Sequence, residues 1–422
     1  MGLTDPAVAV GVQLLLAAAA AMGLAALLRR SGAPGGRHGS AAVGGLVAGV
    51  LLGPAVLGAV APGLHDRVFV GAADERAELA ALADGQAREA AALRATGVSE
   101  IALTELAGRH AEARAPLEVR LARAEERFAS IENTALGAVV AAYLVAAGAL
   151  VIPMRRAALR RLVGELTRSA PAPKSVLAGP FAFVAAAIIP AAVGGWVLRL
   201  GPGPSLALGA SLAAPAVAAS LRPRDWWPAL AGAGLAFVVA LFLAAGTSAA
   251  MLMMGFGAIV MWLVPLAAGG GAPPRRVRRT ARSAALGMLL PTLLALAGSR
   301  VDPATAVGAG AFWAAGVAAV LLAADGRWLA WVLAWRALGS ESDRDRIWAR
   351  GGRAVSAGTG FVTAALAAGF HAGGLLPGPA LAGLLLGVLA IECTRGLRER
   401  LAPVLDSSPL GSEGPTDATF NE

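Results

Sequence analysis

Residues 41–60 form the uncharged apolar stretch AAVGGLVAGVLLGPAVLGAV. About twenty residues of α-helix, rising about 1.5 Å each, cross the hydrocarbon core of a bilayer, so this stretch predicts a membrane-spanning helix. Gly45, Gly49 and Gly53 recur at every fourth position and leave one helix face without side chains, where a neighbouring backbone can pack closely. Pro54 has no backbone N–H to donate, so it predicts a break or a kink at that point.

Similar apolar stretches recur along the whole chain. Apolar residues make up 57% of the sequence, charged residues make up 15%, and the mean hydropathy is +0.66, which is more apolar surface than a soluble protein can bury. The 54 glycines and 25 prolines are typical of closely packed, locally broken membrane helices. The sequence therefore predicts an all-α polytopic membrane protein of about eleven spans, near residues 8–28, 41–60, 134–153, 177–198, 204–221, 228–246, 250–268, 284–298, 307–338, 354–370 and 379–394.

The positive charges indicate how these spans are oriented. The net charge is +9 and the pI is 11.2, but the arginines lie in short loops between apolar spans, which argues against a nucleic-acid-binding protein. Loops rich in arginine alternate with loops that hold almost none, and basic loops are typical of the cytoplasmic side. We therefore expect an amino terminus outside and a carboxy terminus in the cytoplasm of a bacterial inner membrane. Because Arg29 and Arg30 follow the first apolar run and no basic residue precedes it, we expect an uncleaved first span.

One polar insertion, residues 64–133, interrupts the apolar pattern. It separates a first unit at 1–63, with two transmembrane helices, from the remaining transmembrane bundle at 134–400. The insertion is rich in alanine, glutamate and arginine and predicts an extracytoplasmic helical hairpin. It is either a solvated extension of the adjacent spans or an arm that senses or binds a partner. Residues 401–422 are predicted to be a disordered cytoplasmic tail, because the end of the chain is polar.

The hairpin has predictable boundaries. Its first helix should run from about Asp74 to Arg94, because a turn signal follows at Thr96 and Gly97. Ser99 can then cap the next helix, and Pro116 should begin a third piece or kink the second one.

The second-span stretch resembles the signature of the sodium/hydrogen exchanger, or cation:proton antiporter, family in its Kef-like branch. Four further stretches are similar to parts of that family in the same order: VIPMRRAALRRL (151–162), ALGASLAAPAVAASL (207–221), ALGMLLPTLLALAGSRVD (285–302) and ADGRWLAWVLAWRALG (324–339). The resemblance covers most of the chain outside the insertion and the tail. It implies an inverted-repeat bundle with two broken helices, exchange of monovalent cations for protons, and a homodimer.

The chain also departs from the family pattern. The family's ion site is one or two aspartates in the sixth span, and the corresponding stretch at 230–237 holds no acidic residue. Ala213 and Ala214 stand where the broken helix usually has a hydroxyl group. About two of the family's helices are missing before Ala285. These differences make the chain a divergent member of the family it resembles.

In secondary transporters the substrate site lies where two interrupted helices meet near the midplane of the membrane. Two spans offer such a pair: 204–221, which Pro215 interrupts, and 354–370, which is rich in glycine. Ser211 and Thr359 are candidate lining residues of that site. A hydroxyl group in a membrane helix also commonly bonds to its own helix, so packing is the alternative role for both.

Ionisable residues within the spans are the candidates for the ion and proton pathway, because a charge in the bilayer centre costs about 2.5–3.5 kcal/mol and needs a partner or a purpose. Asp325 and Arg327 lie within the long stretch 307–338. Arg327 is a fixed counter-charge if one helix covers this stretch, and the pair is interfacial if the helix ends earlier. Glu392, near the end of the last span, is either part of the pathway or a side chain that reaches the interface or pairs with Arg395.

No motif for catalysis or cofactor binding is visible, so we expect neither an enzyme nor a cofactor. A metal site is not predicted, because the only cysteine is Cys393 and the histidines are scattered: His38, His65, His110 and His371. We therefore expect a transporter that exchanges monovalent cations for protons, with Asp325 as the carboxylate. The alternative is a transport-inactive antiporter-like scaffold that presents the 64–133 hairpin, and a narrow channel is a third possibility.

Overall fold

The structure is a computed structural model, which describes residues 5–31, 36–96, 99–166, 188, 190–209, 212, 248–267, 275–322 and 359–406. Within these ranges every regular element is a helix and no strand is present. Four helices are long and apolar enough to cross a membrane: Pro6–Arg30, Gly39–Gly58, Glu100–Ala147 and Arg279–Ser299. The all-helical architecture and these apolar helices are those of an α-helical membrane protein.

Ten helices form the framework of the described residues. They are α1 (Pro6–Arg30), α2 (Gly36–Leu52), α3 (Ala73–Ala95), α4 (Glu100–Leu166), α5 (Ala249–Ala267), α6 (Arg275–Ala284), α7 (Leu290–Ser299), α8 (Gly310–Val320), α9 (Thr359–Ala372) and α10 (Gly378–Asp406). Short helical segments connect several of them, at Pro54–Gly58, Pro62–His65, Asp66–Val70, Val193–Val197, Ala285–Leu289 and Pro303–Val307.

Several predicted spans coincide with these helices, and others lie where the structure gives no description. The spans predicted at 8–28, 250–268 and 379–394 correspond to α1, α5 and α10. The predicted span 228–246 lies outside the described residues, as do most of 177–198 and the second half of 307–338. Helix α10 continues to Asp406, so residues 401–406, assigned to the tail from the sequence, are helical. Strong helix formers such as Leu401 and Ala402 extend the span's helix there.

Aspartate caps set where two of the helices begin. Asp5 accepts a hydrogen bond from the Ala7 backbone N–H at 2.9 Å, directly before Pro6. Asp302 accepts one from Ala304 at 3.1 Å, and Pro303 follows it. Both caps satisfy a donor that the first turn of a helix leaves without a partner.

The glycine face of α2 packs against α7 at backbone distance. A Cβ atom on Gly45 would lie 2.5 Å from the carbonyl oxygen of Pro291, and one on Gly49 would lie 2.5 Å from that of Ala295. A Cβ on Gly53 would lie 3.1 Å from the Ser299 oxygen. The three contacts follow one another along both helices because residues four apart share one helix face. The helix of α2 ends after Leu52, where Gly53 is extended, and Pro54 opens a π-helical turn.

Two more helix pairs pack through glycine in the same way. On the α4–α5 pair, Gly137 faces the backbone of Ala250 and Gly257 faces that of Ala141. On the α8–α10 pair, Gly383 lies against the Phe312 carbonyl oxygen. In membrane proteins, close van der Waals packing of small residues holds helix pairs of this kind together. Buried residues of α1, α2, α4, α5, α7, α8, α9 and α10 form one apolar core.

The hairpin is formed by α3 and the first half of α4. Helix α3 spans Ala73–Ala95, as predicted, and the Ser99 hydroxyl accepts a hydrogen bond from Ala102 at the start of α4. The third piece predicted at Pro116 is wrong, because α4 continues through this residue to Leu166 without a break. Pro116 is exposed, so water can bond the carbonyl group that lacks its N–H partner.

Charged and amide side chains join the two helices of the hairpin. Arg76 binds Glu125 through its guanidinium group, and Arg120 binds Glu78 at 2.8 Å. Gln86, which is 5% exposed, donates to the His110 carbonyl oxygen at 3.1 Å and accepts a hydrogen bond from Arg114. Among these contacts, the Gln86 amide depends most on its partners, because a buried hydrogen-bond donor that has no acceptor costs free energy.

We expect Gln86→Ala to destabilise the hairpin locally by about 1–2 kcal/mol, because both hydrogen bonds of a buried amide are lost. Hydrogen exchange of the full chain should show faster exchange of the amides in α3 and the facing part of α4. The exposed Arg88→Ala, on the same helix, is the matched control. Unchanged protection in the Gln86 variant would show that the amide does not hold the hairpin together.

Candidate functional site

A buried carboxylate lies between the last helices of the bundle. Glu392 exposes 6% of its surface, and it is on α10 facing α9. The approach is close: a Cβ atom on Gly360 would lie 2.9 Å from the Glu392 Oε1 atom and 3.2 Å from Val388. The absence of a side chain at Gly360 therefore makes the space that the carboxyl group occupies. Glu392 is buried against α9 and does not extend to the surface.

Helix α4 contributes a phenol to the same region. Tyr143 is 3% exposed, and the Glu392 carboxylate acts on it electrostatically. Thr363, one turn beyond Gly360 on α9, is 1% exposed. Glu392 lies about 21 Å along α10 from Gly378, at about 1.5 Å per residue.

A second polar group joins three helices about 16 Å along α4 from Tyr143. We call it the Arg300 cluster, and it consists of Gln13, Glu132, Asn133 and Arg300. The Arg300 Nη2 atom lies 3.1 Å from Glu132 Oε2, and its Nη1 donates to Asn133 at 2.7 Å. Gln13 donates to Glu132 Oε1 at 2.6 Å. The cluster therefore ties α1 and α4 to the residue that follows α7.

The Arg300 cluster is largely removed from water. The side chains of Arg300 and Glu132 are 12% and 15% exposed, and Gln13 is 1% exposed. His371, at the end of α9, interacts electrostatically with both charged groups. Each charge here depends on the other, because an ion without its partner in such surroundings carries an uncompensated desolvation penalty.

We expect Glu132→Gln to destabilise the protein by about 2 kcal/mol, because it leaves Arg300 without its counter-charge. Thermal unfolding of the detergent-solubilised chain measures this effect. Glu126→Gln, exposed on the same helix, should leave the midpoint unchanged. The double variant Glu132→Gln/Arg300→Met should recover part of the loss. If Glu132→Gln behaves like Glu126→Gln, the ion pair contributes nothing to stability.

The structure describes only some of the predicted pathway residues. Asp325, Arg327, Ser211 and Pro215 lie outside the described residues. Thr359 begins α9, next to Gly360, and the backbone there passes the Glu392 carboxylate. In the part of the chain that the structure covers, no group of three or more histidine, cysteine, aspartate or glutamate side chains could hold a metal ion.

The Arg300 cluster and Tyr143 were not predicted from the sequence. Two signals could have found the cluster: Gln13 is the one amide within the first apolar run, and Glu132 and Asn133 stand immediately before the third predicted span. Polar residues at such positions need partners inside a membrane protein. No comparable signal identified Tyr143, because a tyrosine within a span is usually a packing residue.

Comparisons with known proteins do not assign the chain to a family. No family model matches the chain, and no curated protein or solved structure matches it.

Proposed function

We propose that this protein is an integral membrane transporter that exchanges monovalent cations for protons, with Glu392 as the carboxylate for which the two compete. The observation that carries the proposal is the burial of Glu392 inside an apolar helix bundle, against the side-chain-free surface of Gly360. Ionisable groups buried in the bundle of a membrane protein mark ion and proton pathways. Cation binding favours the charged form, and protonation gives the neutral form.

The resemblance to the sodium/hydrogen exchanger family supports the same proposal. The proposal includes an antiporter-like inverted repeat, eleven spans, a cytoplasmic carboxy terminus and a homodimer. The four apolar helices long enough to span a membrane fit this arrangement. Because the stretch at 230–237 holds no acidic residue, the carboxylate must come from another span, and α10 provides one.

Reconstituted vesicles test the proposal directly. The full chain is placed in vesicles that contain a pH-sensitive dye, and a gradient of Li⁺, Na⁺, K⁺ or Rb⁺ is applied. We expect at least one of these cations to change the internal pH, because protons cross the membrane in the direction opposite to the cation. The absence of a pH change with all four cations would refute exchange.

The second candidate function is a transport-inactive scaffold that presents the hairpin outside the membrane. The observation that favours it is the set of ion pairs and amide contacts between α3 and α4, which gives the arm a defined shape. In that case the vesicles stay inactive with every cation, and deleting the hairpin removes the binding of a partner.

A further inference from the structure

Helix α6 is the most basic element of the described structure. Its ten residues read RRVRRTARSA, with arginine at half of the positions. The structure describes the surroundings of Arg276, Arg279 and Arg282, and all three are exposed. Helix α6 continues through Ala285–Leu289 into α7, so the arginines stand at one end of an apolar rod.

The three arginines share one side of α6. At about 100° per residue they fall within an arc of about 120°, and Val277 and Ala281 lie on the opposite side. Ala281 packs against the apolar core. The packing of Ala281 and the exposure of the three arginines show that the arginine side, called the α6 arginine face, points away from the bundle.

The α6 arginine face has no counter-charge within the described protein. Among the residues that the structure describes, every ion pair within 4.0 Å involves other side chains. The other end of the same rod differs, because Arg300 is paired with Glu132 at 3.1 Å. Like charges this close repel one another, so the counter-ions of the α6 arginine face come from outside the described bundle.

We propose that the α6 arginine face binds the phosphate groups of anionic phospholipids at the membrane surface. The apolar rod begins at Arg279 and ends at Ser299, which places the three guanidinium groups at the level of the lipid headgroups. Arginine binds phosphate through two parallel hydrogen bonds, and anionic headgroups attract basic segments beside a span. The inference needs the bundle to lie in a membrane and does not depend on ion exchange.

Native mass spectrometry of the full chain tests the proposal. The purified protein is titrated with dioleoylphosphatidylglycerol and, separately, with dioleoylphosphatidylcholine. We expect the wild type to prefer the anionic lipid by at least about tenfold, since each arginine near an anionic surface is worth about fivefold. Arg276→Gln/Arg279→Gln/Arg282→Gln should remove most of this preference, and the corresponding triple lysine variant should keep much of it.

Three exposed arginines of the hairpin supply the matched control, because none forms an ion pair within the described residues. Arg88→Gln/Arg94→Gln/Arg109→Gln removes the same charge and should leave the preference intact. An equal loss in both triple variants would overturn the proposal, because net charge alone would then explain it. The proposal would also be overturned if the α6 variant kept its full preference for phosphatidylglycerol. The same holds if the protein bound an oligonucleotide more tightly than the lipid and this binding depended on the α6 arginines.

The wild type alone gives a second measurement if the α6 variant does not fold. Raising the salt concentration from about 0.05 M to about 0.5 M shortens the screening length, so the preference for phosphatidylglycerol should fall. A wild type that binds both lipids equally, or whose preference ignores salt, contradicts binding at the α6 arginine face.

Discussion

Glu392→Gln is expected to abolish cation-driven proton movement in reconstituted vesicles. The amide has nearly the shape of the carboxyl group, but it neither releases a proton nor offers a negative charge to a cation. Because the amide and the carboxyl group have nearly the same volume, the amide should fit the pocket beside Gly360. The expected result is therefore a protein that folds and reconstitutes like the wild type but gives no pH change.

Two comparisons make this result specific. Glu392→Asp keeps a carboxyl group and should retain exchange at a reduced rate, whereas Glu118→Gln, exposed on α4, should behave like the wild type. Asp325→Asn tests the carboxylate that the sequence first indicated. If Asp325→Asn stops exchange and Glu392→Gln does not, the assignment of the carboxylate to α10 is wrong.

Gly49→Val is expected to destabilise the protein by more than about 3 kcal/mol, because overpacking against a backbone cannot be relieved by a rotamer change. The valine Cβ would lie 2.5 Å from the Ala295 oxygen and 2.9 Å from the Gly298 Cα atom. Helices α2 and α7 would have to separate, and Gly45 and Gly53 on the same face would lose their contacts. In the extreme case, no folded Gly49→Val protein is recovered after purification.

A thiol-reactive fluorescent dye can follow this unfolding. The chain has one cysteine, Cys393, which is partly buried on α10, so the dye reacts as the bundle opens. Gly23→Val is the matched control, since nothing lies within 4 Å of a Cβ at Gly23 on α1. Equal unfolding midpoints for the two variants would mean that the glycine face of α2 does not need to be free of side chains.

The helical architecture could be predicted because the length of an apolar run is a local property. The glycine repeat on α2 likewise predicted a bare helix face. Its partner could not be predicted in the same way, because the choice of α7 depends on how distant segments meet. A clue was present, since Pro291, Ala295 and Ser299 repeat at the same spacing and form the complementary row.

The candidate site was harder to predict than the fold. For Glu392, the sequence left open whether the side chain is buried or reaches the interface, and this depends on whether the facing helix leaves room. Gly360 provides that room, but no local pattern links two residues on different helices. The prediction at Pro116 was wrong for a different reason. The missing backbone N–H predicted an interruption of the helix, but at an exposed position water can bond the carbonyl group that lacks its partner.

The continuity of α4 connects the hairpin directly to the helix bundle. Its 67 residues extend for about 100 Å at about 1.5 Å per residue. Glu132, held by Arg300, lies near the middle and divides the rod into arms of nearly equal length. Helix α4 therefore joins the hairpin to the apolar core through one continuous backbone, and the Arg300–Glu132 ion pair lies where its polar half meets its apolar half.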